Sequence, residues 1–178
     1  FADQIDYQID EKLNYFYNNT TIQYSDTELE SEFVKVDWNT NELLSYMVDG
    51  SRPQIKSDGN RNPMIGDTLI YNLISERGII RQGKTELNDA FYHGEDIISD
   101  DEETIYSYDG MYTSCNLDYP HYYFLSKKMK IIHDKHIIAK PIILHIRDLP
   151  IIPFPFAILP NKGGERKGGW IMPSFGYS

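Results

Sequence analysis

Few residues in this chain could do covalent chemistry. Its single cysteine, Cys115, has no partner for an internal disulfide. Either it is a small apolar residue of a core, or it bonds to a partner or to chain outside these residues. His133-Asp134-Lys135-His136 offers an H-x-x-H pair, but residues three apart on a strand point to opposite faces. No third or fourth ligand stands nearby to complete a metal shell. Asn18-Asn19-Thr20-Thr21 holds two overlapping N-x-Thr sequons and little else. No glycine-rich phosphate loop, serine elbow or Cys/His nucleophile pair occurs. The expectation is a protein that is not an enzyme and holds no metal or cofactor.

Binding is then the chemistry to look for. The 178 residues carry a formal net charge of −10, which argues against nucleic acid as a partner. Aromatic residues make up 13%, with 14 tyrosines, and β-branched residues are plentiful; both types suit pleated, half-buried surfaces. No run approaches the ~18 consecutive apolar residues that a membrane-spanning helix requires.

The elements that would carry an apolar binding surface show as a repeat. A small residue, usually followed by an acid, precedes an alternating apolar pair. The copies are Ala2 with Ile5 and Tyr7, Ser31 with Val34 and Val36, and Gly66 with Leu69 and Tyr71. Gly94 with Ile97 follows, its second apolar position taken by Ser99, and then Ser126 with Met129 and Ile131. The small residue stands at 2, 31, 66, 94 and 126, an imperfect period of about 30 that fits stacked strand repeats. Asp6, Lys35 and Lys130 lie between the apolar pairs, the period-2 pattern of strands with one dry face. Turn signals are expected at Asn18-Asn19, Asn39 to Asn41, Ser57 to Asn60, Ser99 to Asp101 and Asp109-Gly110.

The fold class is therefore all-β. One strand per repeat in each of two walls would give walls of about five strands, roughly 24 Å deep. Walls meeting along one edge would enclose a long apolar trough. A closed sandwich with a filled interior satisfies the same periodicity.

From Asp109 onward the sequence resembles the LptD family of outer-membrane lipopolysaccharide-assembly proteins. Gly110-x-Tyr112-Thr113-x-Cys115 is similar to the family's G-x-Y-T-x-C, and Ile131-Ile132-His133-Asp134 sits where its last repeat strand and turn fall. Leu149-Pro150-Ile151-Ile152-Pro153-Phe154-Pro155 resembles the passage that leaves the periplasmic domain. Glu165 to Pro173, with Arg166-Lys167 at its head, resembles the D-R-K-S-G-F-L-I-P lead-in to the barrel. The family's further cysteines are absent, which puts its disulfide scheme in doubt for Cys115.

The resemblance implies an OstA/LptA-like β-taco, a twisted jellyroll of stacked repeats, over residues 1–158. Residues 159–178 would be a linker and the first strand of an outer-membrane β-barrel. The implied function is lipopolysaccharide transport and assembly at the outer membrane, with this segment mainly periplasmic. An apolar groove would conduct lipid A acyl chains toward the barrel and its lateral gate. Ile5, Tyr7, Val34, Val36, Leu69, Tyr71, Ile97, Met129 and Ile131 are the candidate lining. Pro150, Pro153, Arg166, Lys167 and Pro173 are candidates for the barrel lead-in and gate; the 150–160 prolines read as a stiff extended linker. Implied partners are lipopolysaccharide, an LptA-like bridge protein added at an edge strand, and an LptE-like plug lipoprotein. Lys127, Lys128, Lys130, Lys135, Lys140, Lys162, Arg166 and Lys167 concentrate positive charge late in the chain, where it would draw phosphorylated headgroups. The competing readings are a structural or adhesive repeat domain with a filled core, and a soluble carrier of another amphiphile.

Overall fold

The computed structural model describes residues 1–24, 27–57, 63–87, 90–99, 104–117, 119–132 and 135–160. Every regular element among them is a strand. In chain order these are β1 (Gln4–Gln8), β2 (Leu13–Tyr24), β3 (Thr27–Asp37), β4 (Glu42–Tyr46), β5 (Gln54–Ser57), β6 (Met64–Ile65) and β7 (Thr68–Asn72). They continue with β8 (Gly78–Leu87), β9 (Ala90–Ser99), β10 (Thr104–Thr113), β11 (Tyr122–Ile132), β12 (His136–Ile146), β13 (Leu149–Phe154) and β14 (Ala157–Pro160). All fourteen pair antiparallel in one sheet.

That sheet is folded along a crease. Residues 34–37 of β3 pair with β4, whereas residues 27–30 of the same strand pair with β5. Likewise β8 meets β7 with its first half and β6 at Lys84, and β12 meets β14 with its first half and β13 with its second. The long strands β2, β3 and β8 to β12 thus each run through both walls, while β4, β7 and β14 belong to the first wall and β5, β6 and β13 to the second. The expected five strands per wall is an underestimate for this reason. A hairpin of two long strands contributes twice to each wall.

The backbone changes wall at a consistent level. Asn18 and Asn19 in β2, Gln82 in β8 and Asp109 in β10 all have positive φ, between 44° and 59°, and in β12 the pairing passes from β14 to β13 across Lys140-Pro141. Asparagine and aspartate tolerate this left-handed region better than most residues. Asn18-Asn19 and Asp109-Gly110 therefore turn the chain from one wall to the other, where reversals were expected. True reversals use the same conformation elsewhere: Asn41 between β3 and β4, and Arg147-Asp148 in the two-residue loop joining Ile146 to Leu149.

The crease also explains the spacing within the repeat. In β3, Leu29 and Ser31 are buried, then Val34 and Val36. The phase of burial slips by one residue between 31 and 34, so both halves of a bent strand keep their apolar side inward. Ser126 to Met129, Gly94 to Ile97 and Gly66 to Leu69 have the same three-residue step. The prolines expected as a linker instead lie in or beside edge strands. Pro150 and Pro153 are in β13, opposite His145 and Ile143, where a missing N–H is tolerated.

Candidate functional site: the inner face of the folded sheet

The nine lining candidates fall on two continuous columns of the first wall. One column runs, neighbour to neighbour, Ile5, Phe16, Val34, Ser45, Leu69, Ile80, Ile97, Ser107, Met129, Ala139 and Ala157. The second runs Tyr7, Asn14, Val36, Leu43, Tyr71, Gly78, Ser99, Ile105, Ile131, Ile137 and Leu159. Ten steps at ~4.8 Å make each column about 48 Å long. The second wall opposes them with Ile22, Leu29 and Ile55 at one end and an aromatic row, Tyr92, Tyr112 and Phe124, at the other. The row's ring centroids are 5.2 and 6.1 Å apart.

The candidates differ in exposure along the columns. Val34, Val36, Leu69, Ile97, Met129 and Ile131 are all buried to 4% or less, and Tyr71 is half-buried. Ile5 and Tyr7, on the edge strand β1, are 41% and 58% exposed. The buried residues form two clusters, around Leu29, Val34, Val36, Leu43, Leu69, Ile80 and Ile97, and around Ala90, Tyr92, Met129, Ile131, Ile137, Ala139 and Ile142. Ile105 packs against both, so the apolar interior is continuous. Each cluster joins residues of both walls, and the walls lie closed on one another. At the rim, Tyr24 at the end of β2 donates a hydrogen bond across the mouth to the Leu73 carbonyl, 3.2 Å away.

The closed edge is built from small residues. A Cβ added at Gly66 would land on Ile80, at Gly83 or Gly94 against Ile97, and at Gly110 on Met129. Glycine here lets the two walls approach to side-chain contact from the first residue beyond the bend. Hydroxyls stand at other crease positions: Ser31 accepts a hydrogen bond from Ser45 of the first wall at 2.6 Å, and Ser126 donates to the Lys128 carbonyl at 3.0 Å.

Half of each column escaped the forward repeat. The motif "small, two residues, apolar" belongs to strands leaving the crease for the first wall's rim. Of the strands returning toward the crease, β8 carries it reversed, with Ile80 before Gly83, whereas β10 has Ser107 before Gly110 and β12 has Ala139 before Ile142. A search for the mirrored spacing would have found Ile80 but not Ser107 or Ala139, although antiparallel neighbours present the same levels in opposite chain order.

The other candidates are dispersed. Cys115 is half-buried after β10, with Sγ 3.7 Å from His121 Nδ1, and its N–H donates to Thr113 Oγ1 at 3.1 Å. His136 sits half-buried at the start of β12, while His133 lies outside the described residues. Among the described residues no three His, Cys, Asp or Glu side chains converge as a metal site. Arg166, Lys167 and Pro173 also lie outside the described residues.

Burial marks the aromatic row electrostatically. Desolvation, and secondarily Tyr112, pushes the Tyr92 phenol well above its usual 10; burial also raises Tyr112. The stability that protonated Tyr92 contributes is fully present below about pH 10 and is lost as pH rises toward its folded value, because the unfolded chain ionises first. Tyr92→Phe is therefore expected to shrink the loss of urea midpoint between pH 8 and pH 11. An unchanged loss would place Tyr92 in water.

Parts of this chain are similar to known proteins. The family described as LptD protein matches residues 137–178, which includes most of β12 and all of β13 and β14. Among the solved structures, LptH from Pseudomonas aeruginosa, the LptA homologous periplasmic component of a lipopolysaccharide transport device, is similar at 19% identity. It covers 56% of this chain and 73% of its own, with a TM-score of 0.46. No curated protein matches.

Proposed function

We propose that the chain is a lipid conduit for lipopolysaccharide transport, its folded sheet sheltering acyl chains between the two walls on the way to an outer-membrane barrel. The observation that carries this reading is that the LptD match, residues 137–178, begins in the strands that complete two continuous, mainly apolar columns. A lipid chain of about a dozen methylenes exposed to water would lose on the order of 10 kcal/mol, at ~0.8 kcal/mol each. Between the walls it would exchange one apolar contact for another. The small-residue crease is the line about which the walls would part to admit an acyl chain. The residues that do the work are side chains that touch acyl carbon, with no bond made or broken.

Two finer parts of the reading rest on placement. The edge of β1, paired only with β2 and carrying exposed Ile5, Tyr7 and Ile9, would accept an LptA-like strand. At the other end, β13 and β14 with Pro150 and Pro153 would lead to the barrel, with Arg166, Lys167 and Pro173 at its gate and an LptE-like lipoprotein in its lumen.

Site-specific photocrosslinking in cells tests the conduit. Probes at Val36, Leu69, Tyr71 and Met129 are expected to capture lipopolysaccharide, and probes at the outward Lys35 and Lys130 are not. Tyr71, being half-buried, tolerates the bulky probe best. No capture, or equal capture from both faces, would leave a structural repeat domain with a filled core.

A further inference from the structure

The outer face of the first wall changes character along the sheet. One outward column reads Thr68, Arg81, Asp96, Tyr108, Lys128 and Lys140. Arg81 Nε lies 3.8 Å from an Asp96 carboxylate oxygen, so charge there is matched. Two strands further on, Lys128 and Lys140 stand directly opposite each other, and Lys130 follows on the same face of β11. None of the three forms an ion pair with a described residue. Like charges opposite one another on neighbouring strands repel. A chain of net charge −10 has carboxylates to spare, yet none of the described ones matches these three ammonium groups.

Beneath them lie aromatic rings, and beside them apolar side chains, one half-buried and one exposed. Lys128 Nζ is 5.9 Å from the Tyr108 ring centroid and Lys130 Nζ 5.5 Å from that of Tyr106. Lys130 is followed across the sheet by Ile138 and then Ile158, the latter 62% exposed on the edge strand β14. We propose that this outer face of β10, β11, β12 and β14 docks on an anionic phospholipid bilayer. The lysines would meet lipid phosphates, the tyrosines would lie at headgroup level, and Ile158 would enter the acyl boundary. The complementarity is of sign and of layer: cations on flexible stems, amphipathic rings, then aliphatic carbon. The proposal does not depend on lipid occupying the interior, and its failure would leave the crosslinking result untouched.

Flotation of the full chain with vesicles tests it. Binding is expected to mixed phosphatidylglycerol/phosphatidylcholine vesicles, to fall steeply with salt, and to be absent on phosphatidylcholine alone. The triple variant Lys128→Gln/Lys130→Gln/Lys140→Gln is expected to bind about 100-fold more weakly, roughly a factor of five per lysine. The charge-matched control Lys12→Gln/Lys35→Gln/Lys56→Gln should lose only a few-fold. Ile158→Ser should lower the salt-resistant remainder. All these positions are on the surface, and circular dichroism checks that each variant folds. No binding to anionic vesicles, or equal binding by the lysine triple variant, overturns the proposal. So does protection of these lysines by inorganic phosphate without flotation, which would mark a free-anion site.

Discussion

Leu69→Ala is expected to destabilise the folded chain by about 2–5 kcal/mol, the range for emptying a leucine site in a packed core. Leu69 is 1% exposed and stands between Ser45 and Ile80 in the first apolar column. Its cluster includes Leu29 of the second wall, so the loss opens a void between the walls. For a chain of this length the melting temperature should fall by roughly 5–15 °C. Ile70→Ala is the matched control, one residue along and half-buried on the outward face. It should cost less than half as much. Equal losses in urea unfolding would mean that the outward face is as tightly packed as the interior, and the assignment of walls would be wrong.

The second large effect is at the crease. A valine at Gly66 would place its Cβ on Ile80 Cγ2 and 2.8 Å from the Arg81 carbonyl oxygen. That oxygen accepts the hydrogen bond from the Asp67 N–H at 2.9 Å, and it is backbone, so it cannot swing aside as a side chain would. Gly66→Val should therefore destabilise by about 1–3 kcal/mol, the range for overpacking a core. Gly78→Ala, whose Cβ would make an ordinary 3.4 Å contact with Tyr71, should be close to neutral. If urea midpoints for the two variants coincide, the walls do not converge at Gly66. Under the conduit reading, Gly66→Val would also hold the walls apart and change which probes in the columns reach lipid.

Both predictions turn on the same feature, a bend that the sequence records as spacing. Strand character was legible because alternation of apolar and polar residues is local: Val34-Lys35-Val36 and Met129-Lys130-Ile131 declare one dry face wherever they are placed. The candidate columns were half legible for the same reason. The repeated forward strands supplied an apolar pair in every copy but that of Gly94, while the returning strands place Ile80, Ser107 and Ala139 where a search for direct repeats passes over them. Asn18-Asn19 and Asp109-Gly110 carry the signal of a reversal because a residue at positive φ serves a hairpin and a strand bend equally well.

By itself, then, the sequence determined that the chain is a stack of antiparallel strands, which side chains of each forward strand face inward, and that its last part resembles LptD. Only the tertiary structure decided that each long strand belongs to two walls, so that a column crosses eleven strand segments where five were expected. It also decided that Pro150 and Pro153 lie on an edge strand and that Lys128 stands opposite Lys140. The physical reason is range. Alternation and turn chemistry act over a few residues and are written in them. Register across a ladder, and the meeting of two walls, depend on residues 15 to 50 positions apart, as between Tyr24 and Leu73, and no local pattern encodes which of them will meet.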